Sequence, residues 1–170
     1  MAEQEYTDAI ALLKADHRTV EALFEQFEGA SGSAAKKKLA HQICVELKVH
    51  TAIEEEIFYP AFDGKIEKET LDEAYVEHDG AKILVNEIEA GDPAEDFYDA
   101  KVKVLSEEIE HHVHEEEMPS EGMFAQCRKT DVDLVALRDA MLARKQELIA
   151  LEESDGLPPA EPRTIDPQPA

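Results

Sequence analysis

The sequence predicts an all-α fold, an up-down-up-down four-helix bundle with an additional C-terminal helix and a disordered tail. Apolar residues recur at steps of three and four, the period of amphipathic helices, and do not alternate as in a half-buried strand. The periodic segments run about 20 to 26 residues and are joined by short breaks, which favours antiparallel neighbours. Only 7 of the 170 residues are Gly, with 34% charged and 43% hydrophobic, a composition suited to one helical domain with its own core.

The first helix is expected over about residues 7–28, with Thr7 as N-cap and Ile10, Leu13, His17, Val20, Phe24 and Phe27 on one stripe. A Gly- and Ser-rich stretch, 29–33, ends it. The second covers about 34–59, with Ile43, Leu47, His50, Glu54 and Ile57 on its stripe, and stops at Pro60. The third, about 68–89, carries Leu71, Tyr75, His78, Val85 and Ile88 and ends at Gly91-Asp92-Pro93. The fourth, about 94–117, carries Val102, Leu105, Ile109, His112 and Glu116 and is broken by Pro119. After a loop of about ten residues, a fifth helix spans about 132–152. Its stripe of Leu134, Leu137, Met141, Leu148 and Leu151 either docks on the bundle or serves a second subunit. Residues 1–153 are read as one domain. Residues 154–170 hold five Pro and few large apolar side chains, and are read as a disordered tail.

The net charge is −23, from 17 basic and 40 acidic residues. Such a surface repels phosphate backbones and anionic lipid, so neither nucleic acid nor membrane is expected as a partner. Residues 1–8 are acidic and no apolar run approaches membrane-spanning length, which makes the cytoplasm the expected location. Two isolated Cys, Cys44 and Cys127, do not make a disulfide framework, and Cys44 lacks a basic neighbour that would make it a sensor thiol.

Six residues carry the chemistry. His50/Glu54 and His112/Glu116 form two His-x-x-x-Glu pairs, and each is preceded by one further His, 33 residues earlier at His17 and 34 earlier at His78. A helix turns about 100° per residue, so residues four apart lie about 40° apart on one face and both reach a point beside it. Imidazole nitrogen and carboxylate oxygen together suit Fe, Mn or Zn. The steps of 4, 3 and 4 in Ile43, Leu47, His50, Glu54 recur in Leu105, Ile109, His112, Glu116, so each His and Glu continues a core-facing stripe. Carboxylates on a core face are costly to bury unpaired, and a cation supplies the missing charge. The halves read as a repeated helix pair about a rough twofold axis.

His41 and His114 fall on outward faces, while His111, about 100° from His112, is the one rival for its place. Glu55, Glu56, Glu115 and Glu117 read as solvated, with Glu55 and Glu115 the better placed to orient an imidazole. For Tyr59 and Tyr75 a place near the site is the alternative, and core packing the preferred reading.

On Asp16-His17, His50-x-x-x-Glu54-Glu55 leading to Phe58-Tyr59-Pro60, Glu77-His78, and His112-x-x-x-Glu116-Glu117, the chain resembles the hemerythrin-like family, the HHE cation-binding domain, over about residues 10–120. The resemblance implies a non-haem centre of two iron ions with a bridging oxo or hydroxo, Glu54 and Glu116 as bridging carboxylates, two His on each iron, and reactivity towards dioxygen, peroxide or nitric oxide. The oxygen-carrying members place a second His one turn from the third-helix His; here those positions are Ala74 and Lys82. They also use a His and an acid five apart on the fourth helix, a spacing matched by His111 and Glu116, although stripe phase favours His112. A four-His, two-Glu set resembles the branch linked to iron handling, stress and sensing. The other readings are a di-iron enzyme that dismutates peroxide or oxidises ferrous iron, and a zinc-binding or purely structural bundle.

Overall fold

In the computed structural model, which describes residues 5–166, regular structure among the described residues is entirely helical. The elements are α1 (Ala9–Gly29), α2 (Ser33–Ile53), α3 (Lys68–Ala90), α4 (Tyr98–Glu117), α5 (Met123–Arg128) and α6 (Leu134–Ser154). Helix α1 begins one residue later than expected, because Asp8 rather than Thr7 caps it: its carboxylate accepts the Ala11 amide at 2.9 Å. The whole stripe expected of α1 is buried.

Helix α2 does not stop at Pro60. It passes into a π-helical turn, Glu54–Phe58, and one last α turn, Tyr59–Ala61. Proline lacks an amide hydrogen, and its ring collides with the carbonyl four residues back, so regular α winding cannot run through it. Widening the preceding turn removes the conflict, and the Tyr59 amide bonds the Glu54 carbonyl instead. Helix α4 starts four residues later than expected, at Tyr98, because residues 94–97 form a turn that ends at Phe97 with φ 69°. The loop expected after α4 contains α5, whose Met123, Phe124 and Cys127 are buried.

Helices α1 and α2 pack as one antiparallel hairpin and α3 and α4 as another, with α2 against α3 and α1 against α4 closing a four-membered ring. Helix α6 lies across α1 and α2, and most of its stripe packs on the bundle: Met141 and Leu148 are buried, Leu134 and Leu137 pack on the same core, and Leu151 stays exposed. Arg144 adds an ion pair to Glu56 at 2.7 Å.

The C-terminal segment departs from the expected disorder as far as it is described. It has no helix beyond Ser154, as its prolines dictate, yet it follows a defined path along α3. Ala160 exchanges two 2.8 Å hydrogen bonds with the Asn86 side chain. The amides of Arg163, Thr164 and Ile165 and the Thr164 hydroxyl all donate to Asp79, a fully buried carboxylate. Residues 1–4 and 167–170 lie outside the described residues. No helix among the described residues is long and apolar enough to cross a membrane.

Two apolar clusters divide the core. One gathers Ile10, Leu13, Ile53, Phe58, Phe62, Phe124 and Met141; the other gathers Val20, Phe24, Ile43, Leu47, Leu105 and Ile109. Between them lies a layer of buried ionisable groups.

Candidate metal centre

The structure brings all six sequence-predicted residues together in that layer. His17, His50, Glu54, His78, His112 and Glu116 each expose 7% of their surface or less, and Glu54 exposes none. Helix α1 supplies His17, α2 and its π turn supply His50 and Glu54, α3 supplies His78, and α4 supplies His112 and Glu116. His111 is the wrong register: its side chain is 64% exposed, whereas that of His112 is 6% exposed and aims inward.

The four Nε2 atoms and four carboxylate oxygens sort into two groups. In one, His17 Nε2 lies 3.2 Å from Glu116 Oε2 and His50 Nε2 lies 3.2 Å from Glu54 Oε1. In the other, His78 Nε2 lies 3.0 Å from Glu54 Oε2, His112 Nε2 lies 3.1 Å from Glu116 Oε1, and the two imidazole nitrogens are 3.1 Å apart. Each glutamate thus places one oxygen in each group. Ligands at right angles around a first-row ion with bonds of about 2.1 Å sit about 3 Å apart, so these separations match a coordination shell.

The first group supplies the sharpest test of fit. His17 Nε2, His50 Nε2, Glu54 Oε1 and Glu116 Oε2 are all buried, and none makes a properly aligned hydrogen bond. Buried polar atoms go unpaired only rarely, because each loses its hydration without replacement. Four in one place, all metal-ligand types and mutually within 4.8 Å, fit a cation.

The second group contains a residue that the sequence reading assigned to packing. The Tyr59 hydroxyl lies 2.8 Å from Glu116 Oε1, 3.1 Å from Glu54 Oε2, 3.1 Å from His78 Nε2 and 3.4 Å from His112 Nε2. It is therefore a fifth oxygen or nitrogen donor facing the same point. The π turn puts it there: residues five apart in an α-helix are about 140° apart, whereas the wider turn stacks Tyr59 over Glu54.

Each imidazole is also held from behind. His17 Nδ1 bonds Glu117 at 2.8 Å, His50 Nδ1 bonds Asp16 at 3.2 Å, His78 Nδ1 bonds Glu55 at 2.9 Å, and His112 Nδ1 bonds Glu77. The four acids form a ring around the bundle, each reaching from its own helix to the imidazole of the next: Asp16 from α1 to α2, Glu55 from α2 to α3, Glu77 from α3 to α4, and Glu117 from α4 to α1. A carboxylate on Nδ1 fixes the tautomer that turns the Nε2 lone pair inward. Glu55, which the sequence reads as a solvated face with orientation of an imidazole as the alternative, is buried and holds His78. On α4 that role belongs to Glu117, not Glu115, because Glu116-Glu117 repeats Glu54-Glu55 in the second half. Asp16 and Glu77 were missed, although a signal existed: all four orienting acids are sequence neighbours of a ligand-type residue.

Electrostatics follow from this packing. Burial opposes a charge on His50, but the Glu54 carboxylate outweighs it, aided by Asp16, and raises the imidazole pKa to about 10. Burial and the neighbouring Glu116 push Glu54 up, yet His50 and His78 prevail and hold it at about 2. Both cysteines are buried, and burial drives their pKa up (Cys127 to about 12), which makes them poor nucleophiles.

On the side towards the second apolar cluster, a void of about 10 Å³ lies among the four imidazoles, walled by Val20, Leu47, Ile109 and Val113. On the opposite side Phe124 stacks on His17, ring centroids 5.9 Å apart, and Tyr75 meets Tyr59 edge-on at 5.3 Å. After α4 the chain turns so tightly that a Cβ on Gly122 would meet the Met118 carbonyl at 2.5 Å and the Glu116 carbonyl at 2.9 Å, so only glycine lets α5 close over the site.

The family model described as hemerythrin HHE cation binding domain matches residues 8–124. Among solved structures, a hemerythrin HHE cation binding domain-containing protein from Mycobacterium kansasii superimposes with a TM-score of 0.72 at 21% identity, covering 89% of this chain and 95% of that one. At that identity the likeness bears on the fold alone. Among curated proteins, a DNA nickase of Nostoc sp. (strain PCC 7120) is 26% identical over 106 residues, 62% of this chain; the chain spans about 30% of that relative's length.

Proposed function

The chain belongs to the hemerythrin HHE cation binding domain family, and we propose that it holds two iron ions and binds or reacts with dioxygen, peroxide or nitric oxide. His17 and His50 would hold one ion and His78, His112 and Tyr59 the other, with Glu54 and Glu116 each offering one oxygen to either group. Iron at this position supplies redox equivalents to a small bound oxidant; the protein supplies ligands, orientation and exclusion of water. The observation that carries the reading is the set of four buried, unpaired donor atoms, which a cation satisfies at once.

The residues around the site favour a very small ligand. The void of about 10 Å³ beside the imidazoles is close to the space one water needs. Its apolar walls exclude bulk solvent, and the carboxylate ring holds the imidazoles through changes of charge at the centre. The nicking activity in the relative's name is not carried to this chain, whose 17 basic against 40 acidic residues offer little to a phosphate backbone. No nucleic-acid or membrane partner is proposed, and the cytoplasm is the proposed location.

The test is optical and volumetric. Ferrous-loaded protein should change its absorption within seconds of adding nitric oxide or peroxide. Oxygen evolved from peroxide, and lost in Glu54→Ala, would place it among peroxide-dismutating enzymes. Zinc as the stoichiometric metal in cells, with no optical response from the iron-loaded form, would overturn the redox reading.

A further inference from the structure

A cavity of about 410 Å³ lies where the docked C-terminal segment meets α2, α3 and α6. Its lining departs from the rest of the molecule. In a chain with 40 acidic and 17 basic residues, four cations converge here, Lys48, Lys82, Arg144 and Arg163, against the three acidic residues Glu55, Glu56 and Glu161. An excess of one positive charge remains.

Most of these cations are committed. Lys82 and Arg163 both bind Glu55 Oε2, at 2.8 and 3.0 Å, and Arg144 binds Glu56. Lys48 is not: half-buried at the wall, its ammonium makes no ion pair or hydrogen bond among the described residues. The rest of the wall is largely apolar, with Ala52, Leu148, Leu151 and Leu157 beside Pro158 and Pro159. An unpaired cation next to an apolar wall, inside a volume typical of small-molecule sites, selects for an anionic head on an apolar body.

We propose that this cavity binds a small amphipathic organic anion of the medium-chain carboxylate class, with its head on Lys48 and its body against Leu148 and Leu157. The site does not depend on which metal the centre holds, but it is wired to it. Glu55 Oε2, at the cavity wall, is bound by Lys82 and Arg163, while Glu55 Oε1 accepts from His78 Nδ1 at 2.9 Å. An anion held on Lys48 enters the cavity that those two cations and Glu55 line, beside the residue that orients His78.

The experiment is calorimetric titration of the full-length, iron-loaded protein with decanoate. The proposal expects saturable binding at one site per chain, at least about tenfold weaker binding of decanol, and no binding of decylamine. Lys48→Glu and the milder Lys48→Met should each weaken decanoate by at least about tenfold, a loss of about 1.4 kcal/mol, with iron content unchanged. Absence of saturable decanoate binding, equal affinity for decanol, or unaltered affinity in both Lys48 variants overturns it. Iron content, measured on the same samples, reports separately on the metal centre.

Discussion

The Tyr59 hydroxyl sits 2.8 Å from Glu116 Oε1, although the two residues are 57 positions apart and Tyr59 belongs to a turn that a regular helix would have aimed elsewhere. Without a cation, burial and the charges of Glu116 and Glu54 hold its pKa well above the usual value. A ferric ion among the same donors reverses that balance and favours the phenolate. Ferric-loaded protein should therefore show a visible tyrosinate-to-iron absorption band, and Tyr59→Phe should abolish it while still binding iron. The same band in Tyr59→Phe would remove Tyr59 from the donor set.

The ring of orienting acids makes a prediction of its own. Glu55→Gln should weaken the ion held by His78, and Glu117→Gln the ion held by His17, each by about 10- to 100-fold in affinity. Glu56→Gln is the control: that side chain pairs with Arg144 outside the centre. Competition with a chromophoric chelator reads all three. Equal affinity in wild type and Glu55→Gln would contradict the orienting role.

Metal loading should release protons, more of them per ion at neutral pH than at high pH. The sign comes from His50, whose pKa in the metal-free fold is raised to about 10 by Glu54 and Asp16 against the opposing effect of burial. A raised pKa stabilises the metal-free fold fully below the unfolded value of about 6.5, and this contribution fades as pH rises towards about 10. The loaded form carries neutral imidazoles and does not share the loss. The difference in melting temperature between loaded and metal-free protein should thus widen from pH 6.5 to pH 9.5. A constant or shrinking difference would contradict it.

The bundle, the convergence of six ligand-type residues and the choice of His112 were legible because all three depend on α-helical phase. Leu105, Ile109, His112 and Glu116 keep one face through regular winding, and the 64% exposure of the His111 side chain shows the phase holding to the end of α4. Tyr59 was not legible, because the π turn before Pro60 breaks the phase on which the reading relied. Asp16 and Glu77 were hidden for another reason. They reach across helix interfaces, to His50 and His112, and periodicity within one helix says nothing about its neighbour. The C-terminal segment misled by composition: its prolines forbid helix, but the fully buried Asp79 anchors it through backbone amides, which every residue there except proline can offer.

A crystal of the iron-loaded protein, with diffraction recorded at the iron absorption edge, tests the central claim most directly. Two anomalous peaks should appear, one between His17 and His50 and one among His78, His112 and Tyr59, both within bonding distance of Glu54 and Glu116. A single peak, or iron bound away from these side chains, would contradict the account.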